Sequence, residues 1–449
     1  MTDRRRRPRP IIPWRIPSGR GATEQPNAVS DEPEVLTLRF WALILITGVA
    51  TGLLGALMMF VLHTAQHLSF NYRHGEFQAA VEHASRTRRL AVLALAGVIA
   101  GVGWYLLRRW TPGGRSDVHG TLWEGRSDLS VRRSFPSALL SEIVVGMGAS
   151  LGREQAPQLM GALSGSLLGK WAKLPPGQRR LLLACGSGAG LAAVYNVPLG
   201  GALIVAELLY GQITLTVVLP ALATTVTATV VAWVYLPNQP TYTGLQAFHF
   251  TGSELVWAVL IGPLVGIVAV AWTRLIGWVS GHVATGRPLL VAPLGAFVAL
   301  ALVGFKYPQL FGNGKDMAHF AFLDQGGLLL FFALFALKPL ASAACLGSGA
   351  SGGLFTPTFS TGAMLGGFLG AAWSLLWHGT PVGAFAVIGA GAMLGAALQA
   401  PLAGLVLTVE LTHSTLGLAV PLATATVIAT VTARYLDGYS IYSSRLPRR

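Results

Sequence analysis

Apolar residues run along this chain in blocks long enough to cross a bilayer, separated by short polar stretches. The first two blocks cover Thr37 to about His67 and Leu90 to Leu107. About 20 apolar residues in helical conformation span the hydrocarbon core, so both predict transmembrane helices. Between Trp110 and Ser134 the chain turns polar and glycine-rich. It resumes as shorter apolar pieces at about 135–148, 158–172 and 181–194. Pieces of that length predict partial spans, which survive at membrane depth only where their loose backbone is sealed against protein. An apolar run from Pro198 to Glu207 and another from Thr214 to Leu236 close this half. After a polar stretch from Pro237 to about Thr251, long spans recur at about 254–281 and 288–305, and shorter pieces follow from Leu328 onward.

The second half repeats the first residue by residue. Asn196-Val-Pro-Leu-Gly-Gly, an apolar run and then Glu207-Leu208 match Gln399-Ala-Pro-Leu-Ala-Gly, an apolar run and then Glu410-Leu411. Pro198 and Pro401, Glu207 and Glu410, and Gly186 and Gly389 are all 203 positions apart. Gly148-Ala-Ser-Leu-Gly-Arg-Glu faces Gly349-Ala-Ser-Gly-Gly-Leu-Phe at a spacing of 201. Duplicated halves with interrupted helices at matching places are the mark of a transporter whose site lies where the halves meet. The chain therefore divides into a tail at 1–34, a first membrane repeat at 35–236, a linker at 237–251 and a second repeat at 252–449.

Composition agrees with an all-α polytopic membrane protein. Of 449 residues 53% are hydrophobic and only 11% charged, while 55 glycines and 25 prolines suit close helix packing and broken helices. The net charge of +14 does not indicate nucleic acid. It gathers in the Arg-rich first residues, at Arg86–Arg89, at loop ends and in Arg445–Arg449, with no basic-aromatic groove pattern. Such charge sets topology, and it places the N-terminus on the cytoplasmic side of a multi-pass protein of the cell membrane. Residues 1–34 lack an apolar core for a cleaved signal and read as a disordered basic tail. Cys185 and Cys345 stand alone in apolar runs, and His63, His67, His378 and His413 are scattered. Neither set predicts a metal site, a disulfide or a cofactor.

The stretch with most chemistry is Gly148-Ala-Ser-Leu-Gly-Arg-Glu-Gln-Ala-Pro157. It carries one carboxylate, Glu154, into apolar surroundings, where an ionisable group costs about 3 kcal/mol or more and is by default functional. The glycines predict an irregular segment turning into a helix near residues 152–155, with unpaired backbone N–H groups that attract anions. A buried Glu154 paired with Arg153 is the plain structural alternative.

Four ordered motifs carry a family resemblance. Gly349-Ala-Ser-Gly-Gly-Leu-Phe-Thr-Pro357, Gly152-Arg-Glu154, Asn196-Val-Pro-Leu and Ser440-Ile-Tyr442 resemble motifs of the CLC family of chloride channels and chloride/proton antiporters, from about Leu36 to the C-terminus. The resemblance implies inverted repeats of tilted and broken helices in a homodimer, each subunit with its own path for chloride or another small anion. It implies Glu154 as a gate, and anion contacts from Gly113, Gly152, Arg153, Gln155, Gly353, Leu354, Phe355 and Tyr442. Partial positive charge from helix tips suits conduction, because a full charge would hold chloride too tightly. Because the sequence ends soon after Tyr442, the cytoplasmic CBS pair found in many relatives is not expected.

Three departures from the family pattern bear on mechanism. Gly113 stands where a central anion-binding serine is usual, Gln155-Ala156 replaces Gly-Pro after the gate, and Leu208 occupies the antiporters' inner proton-relay position. Leucine carries no proton, and its neighbour Glu207 points about 100° away around a helix. Glu207 and Glu410 therefore read as structural groups capping nearby backbone. The expected function is anion conduction as a channel or with weak proton coupling, with chloride/proton antiport as the alternative. The chain is not expected to be an enzyme. A remote alternative is a rhomboid-like intramembrane serine protease using Ser351 with His378 or His413.

Overall fold

The computed structural model describes residues 36–73, 75–413 and 416–446. The tail expected at 1–34 lies outside them. Seventeen α-helices are found among the described residues, and the only extended pairing is an isolated antiparallel bridge between Gly152 and Gly353.

In the first half these are α1 (Leu38–Phe70), α2 (Phe77–His83), α3 (Arg86–Trp110), α4 (Val118–Trp123), α5 (Val131–Gly146), α6 (Gln155–Trp171), α7 (Pro176–Tyr195), α8 (Pro198–Leu203) and α9 (Leu215–Ala232). The second half contains α10 (Gly252–Gly281), α11 (Ala292–Val303), α12 (Lys315–Phe322), α13 (Leu328–Gly347), α14 (Phe355–Trp373), α15 (Val382–Leu398), α16 (Pro401–Thr412) and α17 (Ala419–Leu436). Six of them, α1, α3, α9, α10, α13 and α17, are long and apolar enough to cross a membrane. Two expectations need correction. The long span expected at about 288–305 is a 3-10 turn at Arg287–Leu290 followed by the 12-residue α11, too short to cross on its own. The segment from Leu328, expected as a short piece, forms α13, which runs 20 residues straight through Pro339, because the helix around a proline can continue when neighbours absorb the freed backbone groups.

The centre of the molecule consists of two near-equivalent helix pairs, α6 on α7 and α14 on α15, each almost wholly buried. Both pairs depend on glycine for their closeness. A Cβ on Gly186 would run into the carbonyl of Gly161, and one on Gly362 would meet the carbonyl of Gly389 at 2.6 Å. Where backbones touch in this way, dispersion and packing replace the hydrophobic driving force that lipid cannot supply. Outside this centre the long helices expose apolar side chains, such as Leu53 and Phe60 on α1 and Val427 and Val431 on α17, as a lipid-facing surface requires.

The half-helices are fixed by reciprocal caps. Glu207 accepts from the amides of Leu402 (3.3 Å) and Ala403 (2.8 Å) at the start of α16, and Glu410 accepts from Leu199 (3.0 Å) and Gly200 (2.6 Å) at the start of α8. Each carboxylate lies at the positive end of the other half's helix and takes amides that the helix itself leaves unpaired. A π-helical turn at Ile204–Leu209 carries Glu207 and the half-buried Leu208.

A candidate anion pathway at the meeting of two helix tips

The turn before α6 and the turn before α14 meet. The Gly152 amide donates to the Gly353 carbonyl at 2.7 Å, and the Gly353 amide returns the bond to the Gly152 carbonyl at 2.8 Å. Only residues without Cβ fit here, since a side chain on either glycine would strike the Glu154 carboxylate. A buried lysine holds the first turn in place. Lys338 of α13 donates to Ser150 Oγ (2.9 Å) and to the Gly312 carbonyl (2.9 Å), while the Gly312 amide binds the Gly148 carbonyl (2.9 Å).

Glu154 is the N-cap of α6, and its side chain is fully buried. It does not turn back onto its own helix. It crosses to the other half, where Oε1 accepts from the Phe355 amide at 2.8 Å and Oε2 accepts from Thr356 Oγ1 at 2.9 Å and from Tyr195 O–H at 3.2 Å. The Phe355 amide is the first of α14, so the negative charge rests on the positive end of a 19-residue helix. The rings of Tyr195 and Phe355, with centroids 5.8 Å apart, flank it. No ion pair joins Glu154 to Arg153 among the described residues. The Arg153 guanidinium instead lies 4.9 Å over the Tyr195 ring.

The other expected residues are placed differently. Gly152 and Gly353, expected to offer amides to an anion, use those amides on each other. Two glycine tips that touch satisfy their own backbone, which leaves the start of α14 as the donor end. Gln155 does not face the Glu154 carboxylate, because its Nε2 donates to Ser351 Oγ at 2.8 Å. Leu354 is buried at the N-cap of α14. Neither Gly113 nor Tyr442 is among the partners of the Glu154 carboxylate. Gly113 occupies the turn after α3 with φ 71°.

Tyr442 lies near the C-terminal end of α15, where the Ile441 amide binds the Ala397 carbonyl at 2.9 Å. Its ring is stacked on His119 of α4, with centroids 3.8 Å apart and planes within 6°. Leu122 of α4 packs against the buried cluster that includes Phe40 near the start of α1. A small cavity beside Arg153 is lined by His63 and Gln66 and lies toward the face where α1 ends.

Sequence reasoning missed Tyr195, Thr356 and His119. Thr356 lies inside the quoted motif at Gly349–Pro357 and was open to notice as a hydroxyl beside the helix tip. Tyr195 immediately precedes the Asn196 motif, but only folding brings the end of α7 against α14. Nothing in the local sequence marks His119. The protease reading gains no support: among the described residues the Ser351 hydroxyl is hydrogen-bonded to Gln155, and no histidine hydrogen-bonds it.

Two duplicated halves, broken helices whose tips meet, and an acidic side chain held on one of those tips define a polytopic membrane protein of the CLC-type architecture. The family described as "Voltage gated chloride channel" matches residues 96–434, and the chain belongs to that family. It is 34% identical over 372 residues to a putative chloride channel protein ClcB-like from Ralstonia nicotianae, covering 80% of this chain and 86% of that one. It is also 30% identical to the H(+)/Cl(-) exchange transporter ClcA of Cronobacter sakazakii, covering 82% of each chain. Among solved structures, a slow cyanobacterial Cl-/H+ antiporter superposes with a TM-score of 0.79 at 23% identity, over 91% of this chain and 97% of that one. A CLC-type fluoride/proton antiporter gives a TM-score of 0.72 at 21% identity over the same shares.

Proposed function

We propose that this protein carries chloride or similar small anions across the cell membrane, as a homodimer with its N-terminus in the cytoplasm, along a path that Glu154 closes. The observation that carries the reading is the position of the Glu154 carboxylate. An anionic side chain rests on the Phe355 amide, the Thr356 hydroxyl and the Tyr195 hydroxyl, donors that a free anion would use. Displacing it, or protonating it so that it binds them more weakly, opens those donors to the anion.

Proton coupling is weak or absent in this reading. Leu208 has no titratable group, and Glu207, the nearest carboxylate in sequence, is committed to the amides of Leu402 and Ala403. A proton reaching Glu154 from the face where α1 begins has no carboxylate relay at that position. The second reading is stoichiometric chloride/proton exchange, favoured by the name of the ClcA relative, which shares 30% identity with this chain.

Purified protein in liposomes separates the two. With a chloride gradient imposed across the membrane and external pH recorded, chloride flux without uphill proton movement is expected. Proton movement in fixed ratio to chloride would replace the first reading with the second. An absence of anion flux at every pH would remove both.

A further inference from the structure

A recess of about 60 Å3 lies against the C-terminal end of α1, beside Arg153. Its walls include Arg153, the residue before the gate, together with His63 and Gln66 of α1 and Asn313, Lys315 and Asp316 at the start of α12. Leu62, Phe77 and Val145 add apolar wall, and Tyr72, whose hydroxyl donates to the Gly75 carbonyl, completes it. The volume holds a few waters or one partly hydrated halide, and nothing as large as a nucleotide.

The charges lining the recess are unbalanced. Arg153 is held over the Tyr195 ring, and its Nε is buried with no hydrogen-bond partner. The half-buried Lys315 makes no side-chain hydrogen bond or ion pair with any described residue, while its backbone amide donates to Asn313 Oδ1 at 3.0 Å. The carboxylate of Asp316 is partly spent on α2, where Oδ2 accepts from the Gln78 amide at 2.8 Å. Among the lining residues two cations thus face one engaged carboxylate in a half-enclosed space, while Glu142 acts on Arg153 and Glu76 on Lys315 from outside the lining. Unpartnered donors in partly desolvated surroundings are costly unless water or an anion satisfies them.

We propose that this recess is a small-anion site in its own right, which holds a halide between Arg153 and Lys315 on the side of Glu154 where α1 ends. The proposal rests on the reading that anions pass Glu154. Asp316 and the aromatic contact of Arg153 temper the positive charge, so a bound anion is held loosely enough to move on to the donors at the start of α14. The recess raises the anion concentration beside the gate without lending it a fully charged ligand.

Bromide, visible by its anomalous scattering, tests this on crystals of the full chain. The expected result is a peak in the recess of the wild-type protein that Lys315→Met removes and Lys315→Arg keeps, with Glu154→Ala adding a peak beside the Phe355 amide. In liposomes Lys315→Met should raise the half-saturating chloride concentration on the recess side by roughly three- to tenfold, with the opposite side unchanged. Lys315→Gln serves equally if the methionine variant does not fold. Bromide beside Phe355 in Glu154→Ala but none in the recess of any variant overturns the recess site and leaves the transport reading standing. Unchanged half-saturation on both sides in Lys315→Met also overturns it. Bromide in the recess of a protein that carries no anion flux would keep the site and remove the transport reading.

Discussion

Replacing Glu154 by alanine removes the acceptor from three donors at once. In the closed arrangement the carboxylate takes the Phe355 amide at 2.8 Å, Thr356 Oγ1 at 2.9 Å and Tyr195 O–H at 3.2 Å. A hydrogen bond to a charged group contributes about 1.5–3 kcal/mol when measured by deletion. An incoming chloride recovers most of these contacts, so the barrier set by the gate is the remainder. If that remainder equals only one such bond, about 1.5 kcal/mol, freeing the site increases flux roughly tenfold.

The sign of the pH dependence follows from the same contacts. The ionised form accepts these bonds well and carries the charge that competes with chloride. Protonation removes the charge and weakens the bonds, so wild-type flux should rise as pH falls. In Glu154→Ala the flux should be high at neutral pH and flat with pH, and Glu154→Gln should resemble the acid form of the wild type. The assay is chloride efflux from proteoliposomes, followed with a chloride electrode between about pH 4.5 and 7.5, a range that brackets carboxylate titration. A Glu154→Ala protein with wild-type flux at pH 7 and an unaltered pH profile would refute the assignment.

Two further outcomes test the surroundings. Thr356→Val removes one donor to the carboxylate while nearly keeping its shape, so it should increase flux at neutral pH by roughly three- to tenfold, with proton sensitivity retained. Lower flux in this variant would show that the hydroxyl serves the anion more than the gate. Glu410→Ala leaves the amides of Leu199 and Gly200 uncapped, and should lower stability by about 1–2 kcal/mol, read as a lower Tm in detergent, while flux per folded molecule stays the same. Its partner Glu207→Gln should leave any proton movement unchanged; loss of proton movement in that variant would turn a structural cap into a relay.

The sequence by itself determined the membrane class and the duplication, and it singled out Glu154 as the candidate gate. Each of these is a property of residue type along the chain: apolar length sets spans, and the repeated Gly, Pro and Glu positions at 201 and 203 residues reveal two halves. The same repeat pairs Glu207 with Glu410, but not with the helices they cap in the other half. Only the tertiary structure decided how the donors are divided. Gly152 and Gly353 bond each other, Gln155 turns to Ser351, and the carboxylate of one half reaches the first amide of a helix 201 residues away. Tyr195 entered the site, and His119 met Tyr442, for the same reason. Hydrogen bonds between distant segments depend on the direction of side chains after packing, and local sequence carries no record of that direction.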